Sequence, residues 1–213
     1  MRRAYLTTDK SLVQYLDSSW ISPIWSKYNV LMVYIGGSRL IQAIDDKSDY
    51  DINFIVADDC QYLSLFGSSH LVIDQNHIHS YVIPLNALEQ SGIGYATNLV
   101  KQYNFSWKDI IWVKNDTFAD TYIALSKQLA YCGLLKMCEL YPLHKMYKGN
   151  YSLLYGANCF LGMKYTTQEI INYKHNPNKD LSFITCKILQ SGDNWKVLWQ
   201  SIYDKLLCVA NQI

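Results

Sequence analysis

The sequence predicts an α+β fold: a small mixed β-sheet flanked by helices, followed by a C-terminal helical region. Three observations carry it. Short apolar runs rich in strand formers, such as Val30 to Ile35, stop abruptly at glycines or polar residues. From Ala119 onward the apolar spacing turns helical and stays so to the end. And 50% hydrophobic against 17% charged residues is enough apolar material for a core, which excludes global disorder.

In chain order, Leu12, Val13, Tyr15, Leu16, Trp20 and Ile21 recur near helical spacing and predict one amphipathic helix, ending in a turn at Ser22-Pro23. Val30 to Ile35 reads as a buried strand feeding a tight turn at Gly36-Gly37-Ser38. A short helix then enters from the glycines, with Leu40, Ile41 and Ile44 as its buried positions. Asp51 to Ala57 is a second strand. His70 to Asp74 and His77 to Leu85 read as two more, joined by a hairpin at Gln75-Asn76. A short strand covers Asp109 to Val113.

Breaks at Tyr141-Pro142, Asn176-Pro177 and Ser191-Gly192-Asp193 divide the second half into roughly four helices, one of them following Pro142. The Trp195 and Trp199 pair at i,i+4 is read as core packing. The length of 213 residues suits a core over residues 1–117 with a helical region over 118–213.

Nineteen Lys and Arg against eighteen Asp and Glu leave a net charge of +1, without the strong basic footprint of a protein that grips nucleic acid through its phosphates. The six cysteines are widely spaced, with no C-x-x-C pair, and are expected as free, buried thiols of a cytoplasmic protein. The first residues lack an uninterrupted apolar stretch, so no signal peptide is expected, and no run is long enough to span a membrane.

The chemistry concentrates between Gly36 and Phe54. Paired glycines after a strand let backbone N–H groups crowd around an anion. A helix starting there would add its positive end. Asp49 and Asp51, two apart at the opening of a strand, project from one face. Such carboxylates repel unless a hard dication such as Mg²⁺ sits between them, with a triphosphate supplying further oxygens.

This stretch resembles the signature of the nucleotidyltransferase superfamily related to DNA polymerase beta. Gly37-Ser38-Arg39, followed at this interval by Ser48-Asp49-Tyr50-Asp51, is similar to a bacterial and phage branch of predicted nucleotidyltransferases. The resemblance implies that Gly36, Gly37, Ser38, Arg39 and Ser48 help to hold a nucleoside triphosphate, and that Asp49 and Asp51 ligate two Mg²⁺ ions. An acceptor hydroxyl, on a protein, a tRNA or a small molecule, would attack the α-phosphorus and release pyrophosphate. Lys145 or Lys148 would reach the triphosphate from the helical half. Asn158 and Tyr151 are further positions of interest there.

The chain departs from that branch at Gln42, where a glycine is usual, and at Asp45-Asp46-Lys47, where small residues are common. The superfamily's third carboxylate is replaced by His77, on one face with His79; Asp74 would serve only in a different register. The alternative function is therefore a catalytically weakened nucleotidyltransferase fold acting as a nucleotide- or protein-binding, antitoxin-like regulator.

Overall fold

The structure, a computed structural model, describes residues 4–45, 48–66, 77–177 and 179–213, without the side chains of 64–66. The expected strand over 70–74, the Gln75-Asn76 turn, Asp74, Asp46 and Lys47 lie outside the described residues.

Among these residues the fold is α+β. The expected N-terminal helix is two helices, α1 (Lys10–Leu16) and α2 (Ser22–Lys27). Asp9 caps α1 by accepting from the backbone N–H groups of Ser11 and Leu12. Pro23 does not break a helix but sits in the first turn of α2, where its missing N–H costs nothing. The strands are β1 (Val30–Ile35), β2 (Tyr50–Val56), β3 (Leu63–Phe66), β4 (Ile78–Pro84) and β5 (Ile110–Val113). They form one sheet in the order β3-β4-β2-β1-β5. Only the β2–β4 pair is parallel, with Asp51 opposite His79 and Asn53 opposite Tyr81. The other pairs are antiparallel.

Alternation along the strands sends side chains to two cores. Val33, Ile52, Phe54 and Val82 pack with Leu12, Tyr15, Leu16 and Ile24 of α1 and α2. Met32, Tyr34, Ile55 and Ile83 face the helical half. Asp51 and Asn53 belong to this second face, because they alternate with Ile52 and Phe54.

The helical half comprises α3 (Ala87–Gln90), α4 (Ile93–Val100), α5 (Asp116–Leu140), α6 (Tyr151–Leu161), α7 (Thr167–His175), α8 (Ser182–Leu189) and α9 (Trp195–Ala210). Leu135 of α5 and Trp199 of α9 lie in the same hydrophobic cluster as Met32 and Tyr34 of the sheet. That core is therefore continuous across residues 117 and 118. Trp195 and Trp199 are both buried in it, as their spacing predicts.

From α5 onward the described helices number five rather than about four. Gly162, at φ +65°, ends α6, and the Thr166/Glu169 capping box starts α7. The helix expected after Pro142 starts only at Tyr151, as α6; Lys145 and Lys148 precede it, in a stretch with two 3-10 turns, Tyr141–Leu143 and Lys148–Asn150. All six cysteines are free, but only Cys132 and Cys138 are buried, while Cys186 and Cys208 are exposed. Among the described residues no helix is long and apolar enough to cross a membrane.

Candidate functional site

The turn after β1 is built against β2. Gly36 donates its N–H to the Asp51 carbonyl at 2.7 Å. Gly37 has φ +68°, and a Cβ there would overlap the Asp51 carboxylate, while one on Gly36 would overlap the Asn53 amide. Here the paired glycines serve the close approach of the turn to Asp51 and Asn53.

The chain then makes a five-residue 3-10 turn, Gly37–Ile41, instead of the α-helix whose positive end would face an anion. Gln42 closes that turn at φ +56°, a left-handed conformation that costs a side-chain-bearing residue and explains why glycine suits the position.

Ser38, Asp49 and Asp51 line one cleft of about 540 Å³ between the sheet and the helical half. Its far wall brings Thr97 and Asn98 of α4, Lys101, Tyr147 and Lys148. Lys174 and His175 close its rim. Asp49 and Asp51 thus share the face that their spacing predicts, in one cleft with Lys101 and Lys148.

His79, not His77, adjoins the carboxylates: its Nδ1 lies 3.8 Å from Asp49 Oδ2. His77 is exposed, its carbonyl accepts from the Tyr50 N–H, and its side chain is not part of the cleft wall. The parallel register sets His79 opposite Asp51.

Arg39 and Ser48 also lie outside the cleft wall. The Arg39 guanidinium stacks over the Tyr50 ring at 3.5 Å, and Ser48 is 1% exposed within a hydrogen-bonded loop. Lys145 is exposed on the turn before Met146 and does not line the cleft, whereas Lys148 does. Asn158 instead clamps the backbone of Tyr165, and Tyr151 lies in the wall.

The residue that sequence reasoning missed is Lys101. It is 5% exposed, its Nζ is 3.3 Å from Asn98 Oδ1, and it sits 4.9 Å from the Tyr151 ring centroid. Burial pulls its proton affinity down, but the neighbouring Tyr151, Asp51 and Tyr147 outweigh that and leave its pKa raised. Around Asp51 the phenols of Tyr62, Tyr81 and Tyr147 are pushed up, first by burial and then by the carboxylate's charge among other neighbours. Asp51 and the buried Lys101 ammonium therefore share the cleft with neutral tyrosine hydroxyls.

Among the described residues no group of three or more His, Cys, Asp or Glu is arranged to hold a metal ion. The donor set still fits Mg²⁺, which binds through one or two carboxylates together with substrate phosphates and water. Asp49 and Asp51 line the cleft together, and the lack of a side chain at Gly37 leaves room for the Asp51 carboxylate itself.

No protein-family model matches the chain, and no curated protein is significantly similar to it.

Proposed function

We propose that this chain is a Mg²⁺-dependent nucleotidyltransferase that moves a nucleoside monophosphate from a nucleoside triphosphate to a hydroxyl acceptor, releasing pyrophosphate. The observation that carries the reading is the meeting in one cleft of Ser38, the Asp49/Asp51 pair and the buried cation Lys101. Mg²⁺ held by Asp49 and Asp51 would neutralise charge on the reacting phosphate.

The chain's own groups supply the rest. Lys101 and Lys148 attract the phosphate chain from the wall opposite the carboxylates, and Lys101 does so from a site with little competing water. Tyr62, Tyr81, Tyr147 and Tyr151 offer flat apolar surface with polar edges to the nucleoside. His79 Nδ1, beside Asp49, is placed to take the proton from an acceptor hydroxyl entering at that end.

Incubation with Mg²⁺ and each α-labelled triphosphate tests this reading. Label transfer or pyrophosphate release, lost in Asp49→Ala and Asp51→Ala, supports it. Normal Mg²⁺-dependent triphosphate binding by both variants refutes the site.

One observation favours a second reading: the β4 side chain that adjoins the Asp49/Asp51 pair in the cleft is the imidazole of His79 and not a third carboxylate. A binding module or regulator would then bind Mg²⁺ and nucleotide without turnover on any acceptor.

A further inference from the structure

At the rim of the cleft the helical half grips the loop that leads into β2. His175 Nε2 meets Asp45 Oδ2 at 2.7 Å. Lys174 Nζ lies 3.4 Å from the same oxygen and donates to Ser48 Oγ at 3.0 Å. Ser48 Oγ also accepts from the Asp45 N–H at 2.9 Å and donates to Asp45 Oδ1 at 3.1 Å. From the other side Arg39 Nη2 reaches the Ser48 carbonyl at 3.5 Å.

The residue after Ser48 is Asp49, whose carboxylate makes only the 3.8 Å approach to His79 among the described residues. Its placement is therefore inherited from its backbone, and that backbone is fixed at Ser48.

The gripping helix is itself well held. Its first turn is closed by the Thr166/Glu169 capping box, and Ile170 and Tyr173 are each 5% exposed. The Asn158 side chain holds the preceding strand of chain by donating to the Tyr165 carbonyl at 2.7 Å and accepting from the Tyr165 N–H at 2.8 Å. Lys174 and His175 occupy the last turn of α7, where the Lys174 cation complements the helix dipole. The Lys174 and Asp45 side chains are each only 19% exposed, so their attraction is less screened than that of a surface pair.

We propose that Lys174 and His175 are positioning residues for Asp49: they hold Asp45 and Ser48 against α7, so that the metal-binding carboxylates are assembled by a contact from the opposite half of the chain. The inference rests on the proposed metal site at Asp49 and Asp51.

Geometry and charge predict opposite results, which makes the test sharp. By Coulomb attraction alone, removing the Lys174 cation near these carboxylates tightens cation binding. Loss of positioning weakens it.

The probe is Tb³⁺, titrated by luminescence sensitised through the cleft tyrosines and competed with Mg²⁺, in the full chain. Lys174→Met combined with His175→Gln is expected to weaken Tb³⁺ at least fivefold. Ser48→Ala, which changes no charge, weakens it in the same direction, and Lys174→Arg keeps most of the affinity. Thermal melts followed by circular dichroism select variants that retain a cooperative transition. Unchanged or tighter binding in the double variant, with Asp51→Asn still abolishing the signal, overturns the positioning role alone. A wild-type chain without Mg²⁺-displaceable Tb³⁺ overturns the metal site and this inference together.

Discussion

Gly37 lies against the Asp51 carboxylate so closely that a Cβ on the glycine would occupy the same space, and its φ of +68° is one that side-chain-bearing residues rarely adopt. Turn and carboxylate are therefore a single unit. Gly37→Ala is expected to destabilise the protein by about 1–3 kcal/mol through left-handed strain and the clash. It should also abolish Mg²⁺-dependent triphosphate binding. Adding Asp51→Ala removes the clash but not the strain, so the two losses should not add. A double-mutant cycle by denaturant melts reads the coupling, and strict additivity would contradict the contact.

Gln42 is a milder case of the same physics. At φ +56° it occupies a conformation that glycine reaches freely. Gln42→Gly should be neutral or stabilising by up to about 1 kcal/mol, because relief of strain is offset by the greater freedom of glycine in the unfolded chain. Gln42→Val, branched at Cβ, should cost stability. Thermal melts of the two variants check the order.

A buried polar relay ties β1 to the helical half. Gln102 Nε2 donates to the Tyr34 hydroxyl at 2.7 Å, and the Tyr122 hydroxyl donates to Gln102 Oε1 at 2.9 Å. All three residues are nearly solvent-free. Gln102→Leu removes the amide partner of both hydroxyls, leaving them each other and Tyr95, and should cost about 1–3 kcal/mol. Combining it with Tyr34→Phe and Tyr122→Phe should recover part of the loss in urea denaturation, since the under-bonded buried hydroxyls are then gone.

Much of the sheet was legible because β1 and β2 are apolar runs bounded by glycine or acidic residues, and such runs need no tertiary context to be recognised. Asp49 and Asp51 were legible for the same reason: a period of two fixes their common face wherever the strand is placed. What the sequence could not carry was register between distant strands. His79 stands opposite Asp51 because β4 runs parallel to β2, and nothing local specifies that pairing. Lys101 was illegible for a related reason. It follows the apolar Leu99 and Val100 as an ordinary end-of-helix lysine would, and only Tyr151 and Asp51, remote in sequence, make it a buried cation. The Lys174–Ser48 bond joins residues 126 apart, beyond any local pattern.

Asp180 offers a test in the helical half. Its carboxylate is held down to about 2 by the Ser182 hydroxyl and N–H and by the Tyr141 hydroxyl. The distances are 2.6 Å, 2.9 Å and 3.1 Å. A depressed carboxylate contributes stability above the ordinary carboxylate range and loses it as the pH falls toward its folded value. Ser182→Ala should move the Asp180 titration, followed by carboxyl ¹³C NMR, upward toward the ordinary range. Tyr141→Phe should move it less, because the longer bond is lost. An unmoved titration in Ser182→Ala would contradict the hydrogen-bonded assignment.

Lys101 supplies the most direct test of what the cleft is for. A buried ammonium beside Asp51 serves either as a structural counter-ion or as an anion receptor, and the two roles separate on substitution. Lys101→Met keeps the length of the side chain and its apolar stem while deleting the charge, so packing against Tyr151 is largely retained. An anion receptor predicts triphosphate affinity at least about tenfold weaker, equivalent to ~1.4 kcal/mol, with the melting midpoint little changed. A purely structural counter-ion predicts the reverse, a lowered midpoint with affinity intact. The raised pKa fixes the pH behaviour: the charge is fully present below the ordinary lysine range and is lost only as the pH climbs above it. Its contribution to triphosphate binding should therefore be flat between about pH 6 and 9, so the wild-type to Lys101→Met affinity ratio, measured by isothermal titration calorimetry, should stay constant across that window.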